Sequence, residues 1–214
     1  MTGFKSYLFI SPHADDSEFG CGALMASLAR QPEVAVHLLV LTTREKTTGE
    51  SREQMTEYQL AALDELGLSG AKLHIANLLP RRLPDLHEEI RQILDAHRRA
   101  IGPDIVFTTP ENDRMQDHHA VALEVDRIFR GVSVLEYEVL SSSLKFIPNV
   151  FIETSETDLE CKIRALQCHQ GQAHKHYFTD ESIRSLARLR GLQSTRYRYA
   201  EGFRVRNLVF EAMK

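Results

Sequence analysis

Residues 7–18 read Tyr-Leu-Phe-Ile-Ser-Pro-His-Ala-Asp-Asp-Ser-Glu, an apolar run that ends at a proline and is followed by a histidine and two adjacent carboxylates. The run at residues 7–11 predicts a buried strand, which places the polar residues on the loop at its end. Imidazole and carboxylate groups such as those of His13 and Asp16 are good ligands for zinc or a similar divalent ion. Of the two adjacent carboxylates, the one that does not bind the metal is placed to handle a proton. This loop is therefore a candidate metal site with an acid-base group beside it.

The pattern of alternating strands and helices continues along the chain from this stretch. Strands are predicted at about residues 7–11, 34–43, 72–79, 104–109, 133–139 and 203–210. Helices are predicted at about residues 20–30, 51–66, 84–97, 119–129, 156–169 and 181–189. Residues 141–156 are expected to form a long irregular excursion. Because parallel strands must be covered on both faces, we predict an α/β fold, a Rossmann-like three-layer sandwich with a mostly parallel sheet.

Composition limits the number of domains and the kinds of partner. A chain of 214 residues that is 43% hydrophobic is expected to form a single domain over residues 1–214. The formal charge of -4 comes without a basic stripe, which argues against nucleic acid as a partner. Cys21, Cys161 and Cys168 are widely spaced, which predicts reduced thiols and a cytoplasmic location. No apolar run approaches the ~18 residues of a membrane helix, so no signal peptide and no transmembrane segment are expected.

A second loop carries the same kinds of ligand. Residues 113–119 read Asp-Arg-Met-Gln-Asp-His-His and follow the strand predicted at 104–109. In open α/β sheets, ligands collect beyond the carboxyl ends of strands where the winding direction reverses. If the two strands are neighbours, His13, Asp16 and His118 would hold a metal ion and leave coordination positions open.

Each of these features also has a simpler interpretation. Asp-Asp-Ser before a helix is a capping sequence, and the pair His118-His119 fits an exposed helix start. The presence of both loops on one side of the predicted sheet favours the metal site. Gly20-Cys-Gly22 is only superficially similar to a dinucleotide-binding turn, since the third glycine is missing. The remaining histidines are expected not to be ligands: His37, His74, His87, His97, His169, His174 and His176.

Two motifs resemble those of a known family. The sequence Pro12-His13-Ala14-Asp15-Asp16 resembles the Pro-His-x-Asp-Asp motif of the PIG-L/LmbE family of zinc-dependent N-acetylglucosaminyl de-N-acetylases. Gln116-Asp117-His118 resembles the last three positions of the family's second motif, His-x-Asp-His. Weaker similarity extends through residues 41–45, 52, 66–67, 148–172 and 201–203, so the resemblance spans nearly the whole chain.

The resemblance implies a role for each matched residue. His13, Asp16 and His118 would bind zinc, with Fe²⁺ or another divalent ion left open. Asp15 would be the general base, and Asp117 would orient the ligands. Contact with the substrate is expected from the turn after the second strand and the helix that follows it, through Arg44, Glu45 and Arg52. For Arg52, a charge pair on the helix surface is an equal alternative.

The implied activity is that of a metal-dependent hydrolase. It would remove an acetyl group from an N-acetylglucosamine-type sugar that is lipid-linked or a small molecule. Whether the chain forms a homo-oligomer is left open. The chain departs from the family at Met115, where the second motif normally opens with a histidine that helps to stabilise the intermediate or to protonate the leaving amine.

A thioether can do neither of these jobs. Either His119 or Arg114 replaces the missing group, or the enzyme is slow, or its substrate differs. The alternative is a catalytically impaired family member that acts as a sugar-binding or scaffold protein.

Overall fold

The computed structural model describes residues 3–42, 49, 51–172 and 174–210, and the strands in these ranges form a seven-stranded sheet. In chain order, strands β1 to β7 are Ser6–His13, Ala35–Thr42, Lys72–Leu78, Ile105–Thr108, Ser133–Tyr137, Val150–Glu153 and Ala200–Asn207. They lie in the order β3-β2-β1-β4-β5-β7-β6. Strands β1 to β5 pair in parallel, whereas β7 is antiparallel to both β5 and β6. The predicted α/β class with a mostly parallel sheet is confirmed.

Helices cover both faces of the sheet. Helices α1 to α6 are Asp16–Leu28, Arg52–Glu65, His87–Ile101, Gln116–Ile128, Glu156–Gln167 and Asp180–Gln193. Successive side chains of a strand point to opposite faces. Accordingly, Tyr7 and Phe9 of β1 pack with α1, α2, α5 and α6, while Leu8 and Ile10 pack with α3 and α4. Each such buried side chain contributes about 1.5–3 kcal/mol to folding, which explains why the apolar run of β1 lies in the centre of the molecule.

The winding direction of the sheet reverses next to β1. Strands β2 and β3 lie on one side of β1, and the later strands β4 and β5 lie on the other side. Strands β1 and β4 are parallel neighbours, with Tyr7 opposite Ile105. Their carboxyl ends therefore open into the crevice where α/β sheets bind ligands. The loops after β1 and β4 both face this crevice.

Two elements differ from the sequence-based expectation. Strand β6 lies inside the predicted excursion, where its four residues pair with β7 alone and are mostly half-buried. Helix α1 begins at Asp16, four residues before the predicted start at Gly20. Among the helices within the described ranges, none has the length and apolar character that a membrane crossing requires.

Gly20 and Gly22 have a packing role in α1. A Cβ atom at Gly20 would collide with the ring of Tyr137 on β5, and one at Gly22 would lie 2.8 Å from Cγ of Lys162 on α5. These glycines let the sheet and α5 approach the helix closely. Close packing explains the Gly-Cys-Gly sequence without a phosphate-binding turn.

Candidate metal centre and the cavity beside it

A tight turn brings three side chains of the first loop into the crevice. His13 is the last residue of β1, and Asp16 is the first residue of α1. Asp15 between them has a φ of 98°, in the left-handed region that Asp tolerates better than most residues. Asp15 holds the N-cap position of α1, yet its side chain makes no capping hydrogen bond. The side chains of His13, Asp15 and Asp16 are all buried. Capping of α1 therefore does not explain the carboxylate of Asp15.

His13, Asp16 and His118 converge on one point. Oδ2 of Asp16 lies 3.1 Å from Nδ1 of His13 and 3.2 Å from Nε2 of His118. The two ring nitrogens are 3.3 Å apart. Zinc binds nitrogen and oxygen ligands at about 2.0–2.2 Å, so tetrahedral ligand atoms lie about 3.3 Å from one another. The spacing and chemistry of these three groups fit a divalent ion, and the group could hold a metal.

The triad is distinctive within the part of the chain that the structure describes. There, no other group of His, Cys, Asp and Glu places three ligand atoms within 4.8 Å of one another. The histidines that the sequence analysis excluded as ligands do not form such a group.

Each of the two histidines has a carboxylate on its outer ring nitrogen. Nε2 of His13 donates to Oδ2 of Asp117 at 2.9 Å, and the backbone N–H of Arg81 donates to the same oxygen at 2.7 Å. Nδ1 of His118 lies 3.4 Å from Oδ2 of Asp113. Carboxylates in this position fix the orientation of a metal-binding imidazole and raise its basicity. The inner nitrogens are left facing the common centre.

Asp113 accepts hydrogen bonds from other residues of the same chain. Its Oδ2 accepts hydrogen bonds from Oγ of Ser142 at 3.0 Å and of Ser143 at 2.7 Å, and its Oδ1 accepts one from the backbone N–H of Met115 at 2.8 Å. Ser142 and Ser143 thus help to hold the centre in place. Asp113 was not predicted as a site residue. Its only signal was its position in the same loop as a ligand.

The charges of the centre support one another. Burial lowers the pKa of His118, but the carboxylates of Asp16 and Asp113 outweigh this effect and raise it to about 10. Burial likewise raises the pKa of Asp16, and the neighbouring His118 and His13 bring it well below its usual range. Burial raises the pKa of Asp117, but the contact with His13 and the backbone N–H groups of Arg81 and Leu83 together lower it. An ion that binds here must displace the proton of His118, so its affinity depends on pH.

A small cavity of about 130 Å³ lies beside the triad. Its lining consists of Asp15, Asp16, Phe19, Met115, Val139, Ser141, Lys175, Tyr177 and Phe178. A cavity of about 150 Å³ accepts a molecule the size of benzene, so a small acyl group fits here. The combination of a carboxylate, a candidate metal position and an apolar wall can place an acyl carbon next to water.

The second loop does not replace the histidine that the family has at position 115. Met115 lines the cavity. His119 is exposed, and its Nδ1 donates to the backbone oxygen of Glu111 at 2.5 Å. Arg114 is exposed as well, and neither residue lines the cavity. The structure therefore does not support substitution by His119 or Arg114.

The expected substrate contacts are only partly visible. Arg44 and Glu45 lie outside the described residues. Arg52 is the exposed first residue of α2, directly after the capping residue Ser51. Its role stays a prediction. Lys175 lines the cavity from a segment 160 residues after Asp15 in the chain, and it was not predicted as a site residue.

Known proteins are similar to this chain in sequence and in fold. A family model described as PIG-L, GlcNAc-PI de-N-acetylase, matches residues 8–129. An uncharacterised deacetylase of Escherichia coli K12, YaiS, is 32% identical over 171 residues, which cover 78% of this chain and 91% of YaiS.

Two solved structures illustrate the range of the fold. The N,N'-diacetylchitobiose deacetylase of Pyrococcus horikoshii superposes with a TM-score of 0.77 at 20% identity, over 94% of this chain and 84% of that one. The 4-carboxy-2-hydroxymuconate hydratase GalB of Pseudomonas putida gives a TM-score of 0.76 at 20% identity, over 98% and 100%. Because these two proteins have different activities, the shared fold does not by itself define the reaction.

Proposed function

Because this chain belongs to the PIG-L family of deacetylases, we propose that it is a metal-dependent hydrolase that removes an acetyl group from an N-acetylglucosamine-type sugar conjugate. The observation that carries the proposal is the convergence of His13, Asp16 and His118 beside a cavity of acyl size. A structural role alone would not require two buried histidines that share one carboxylate oxygen.

His13, Asp16 and His118 would hold the ion, and zinc is the metal we propose. Asp117 and Asp113 keep the two imidazoles in position through their outer nitrogens. When bound, a divalent ion supplies a Lewis acid that polarises the acyl oxygen and lowers the pKa of water. Three protein ligands leave room for the substrate oxygen and for water.

Asp15 is the proposed general base. Its carboxylate lines the cavity next to the metal position without being one of the three ligands. As water attacks the acyl carbon, Asp15 accepts the proton that the water loses. It then returns that proton to the sugar nitrogen as the C–N bond breaks, which gives acetate and a free amine.

The proposed substrate class has two supports. The matching family model is described by an N-acetylglucosamine lipid, and the Pyrococcus structure is a deacetylase of an N-acetyl sugar. The cavity has room for the acetyl group, while the sugar and its lipid or small-molecule aglycone would extend outside it. Arg44, Glu45 and Arg52 stay our predicted sugar contacts.

The test is acetate release by the zinc-loaded protein from N-acetylglucosamine, diacetylchitobiose and N-acetylglucosaminyl-phosphatidylinositol. We expect release from at least one of these, and a loss of about 10²–10⁴-fold in Asp15→Asn. The Asp15→Asn variant should still bind one ion per chain, since Asp15 is not a proposed ligand. Loss of the ion together with the activity would contradict the role given to Asp15.

Met115 favours a second candidate, a family member that binds sugars without hydrolysing them. A thioether in the cavity wall cannot donate a proton or a hydrogen bond. This candidate predicts that the zinc-loaded protein binds a substrate from the panel and releases no acetate. Restoring the histidine with Met115→His would then produce activity.

A further inference from the structure

The cavity has to stabilise negative charge without the histidine that the family uses. When water adds to an amide carbonyl, the π electrons move onto the acyl oxygen, which becomes negative. Removing one donor to such an oxygen typically costs about 10²–10³-fold in kcat. Met115 supplies no donor, and His119 and Arg114 lie outside the cavity. A donor elsewhere in the wall would add to the polarisation that the ion supplies.

Lys175 has the required charge and position. Among the described residues that line the cavity, it is the only one with a positive charge, and it shares the wall with Asp15, Asp16 and Met115. Its side chain is half-buried, and its Nζ lies 5.6 Å from the centre of the Tyr177 ring, in a cation–π contact. The backbone N–H of Lys175 donates to the oxygen of Gln172 at 2.9 Å, which fixes the segment.

A lysine is chemically suited to this task. Its ammonium group carries three donors on a flexible stem, so it can reach an oxygen whose position changes as the carbon becomes tetrahedral. Of the other polar side chains of the wall, Asp15 and Asp16 are acidic, and Ser141 and Tyr177 are neutral. A positive charge in a small, partly apolar cavity acts more strongly than in water.

We propose that Lys175 is a catalytic residue of this enzyme and takes over the donor role that Met115 cannot perform. The inference rests on the proposed deacetylase function. The Lys175 ammonium donates a hydrogen bond to the acyl oxygen as that oxygen gains charge, and it keeps its proton throughout. When the carbonyl re-forms, the electron pair leaves the oxygen, the C–N bond breaks, and the nitrogen takes its proton from Asp15.

The test compares Lys175→Met with Lys175→Arg and with the control Lys145→Met, whose lysine is exposed and does not line the cavity. We expect Lys175→Met to lower kcat about 10²-fold, with metal content unchanged. Lys175→Arg should keep at least about a tenth of the activity, and Lys145→Met should be unaffected. A kcat within about threefold of the unmodified protein in Lys175→Met would overturn the proposal.

A double-mutant cycle connects Lys175 to position 115. Met115→His should raise kcat about tenfold or more in the Lys175→Met background and less than about threefold in the unmodified protein, because the two donors serve one oxygen. Equal effects of Met115→His in both backgrounds would show that Lys175 does not share this role.

Binding of acetate separates the inference from the proposed function. Acetate places a negative oxygen where the acyl oxygen would lie, so titration into the zinc-loaded protein reports on Lys175 without turnover. We expect about tenfold weaker acetate binding in Lys175→Met, and no change in Lys145→Met. If no sugar is hydrolysed but this loss is seen, the proposed function fails and the anion contact of Lys175 stands. Unchanged acetate affinity overturns the assignment.

Discussion

The carboxyl ends of the strands form one edge of the sheet and their amino ends form the opposite edge. Histidines cluster at both edges, but the groups around them differ. At the carboxyl edge, the carboxylates around His118 raise its pKa to about 10. At the opposite edge, His37, His74 and His97 line a groove of about 870 Å³, and the rings of His74 and His97 are 4.4 Å apart. There, burial is the largest cause that lowers the pKa of His37, and the charges of Lys72 and His97 lower it further. Carboxylates in contact with the imidazoles, not the number of imidazoles, distinguish the candidate cation site from the groove.

The sharpest test of this contrast removes histidines from one edge at a time. We expect the unmodified protein to bind about one zinc ion per chain, and the double variant His13→Ala, His118→Ala to bind none. The matched variant His37→Ala, His74→Ala should keep the ion, since its histidines lie at the other edge. Metal analysis after dialysis measures both. Full stoichiometry in the first variant would refute the site.

A smaller effect is expected from the carboxylate behind His118. Asp113→Asn keeps the shape of the side chain but removes its charge, so the imidazole loses its orienting partner. We expect zinc affinity to fall about 10–100-fold, measured by competition with a chelator. Asp85→Asn, at an exposed carboxylate of the 3-10 helix Leu83–Asp85, serves as the control and should not change the affinity. Equal affinities in all three proteins would show that Asp113 has no part in the centre.

The smallest effect concerns the groove. The pKa of His37 is lowered in the folded protein, so the unfolded chain binds the proton more readily. The contribution of His37 to the free energy of unfolding is therefore complete above its unfolded pKa of about 6.5 and decreases as the pH falls through its folded pKa. Lys72 and His97 are the charges that act on it, and the groove also contains His74, Lys5 and Glu33.

Replacing His37 with Leu should make stability less sensitive to acid. We expect the urea midpoint to fall less between about pH 7.5 and pH 5 in His37→Leu than in the unmodified protein. His87→Leu is a suitable control, because His87 lies on α3 outside the groove and pairs with Glu124. An equal fall of the urea midpoint with and without His37 would show that this residue does not contribute to the pH dependence of stability.

Local sequence predicted the parts of the fold that depend on local patterns. The apolar runs of β1, β2 and β4 and the helices between them give the parallel sheet, and they were predicted within a few residues. Strand β6 was missed because it is short, half-buried and defined by its pairing with β7. The start of α1 was predicted too late because the left-handed backbone of Asp15 has no clear sequence signal.

The candidate site was predictable only where it lies in motifs. His13, Asp16 and His118 were named from two loops, and the structure brings them together. Asp113 and Lys175 depend on tertiary contacts with segments elsewhere in the chain. No local pattern could show that Lys175 reaches the wall formed by Asp15 and Met115.

The convergence of His13 and His118 has a consequence for how this protein matures. The two residues are 105 positions apart in sequence, and each belongs to a different half of the sheet. A nascent chain that has emerged from the ribosome only as far as β3 has two of the three proposed ligands, His13 and Asp16, and lacks His118. Under the proposed metal binding, the full set of ligands forms only when β4 docks onto β1, and an ion held there would link the early and late halves of the chain against unfolding.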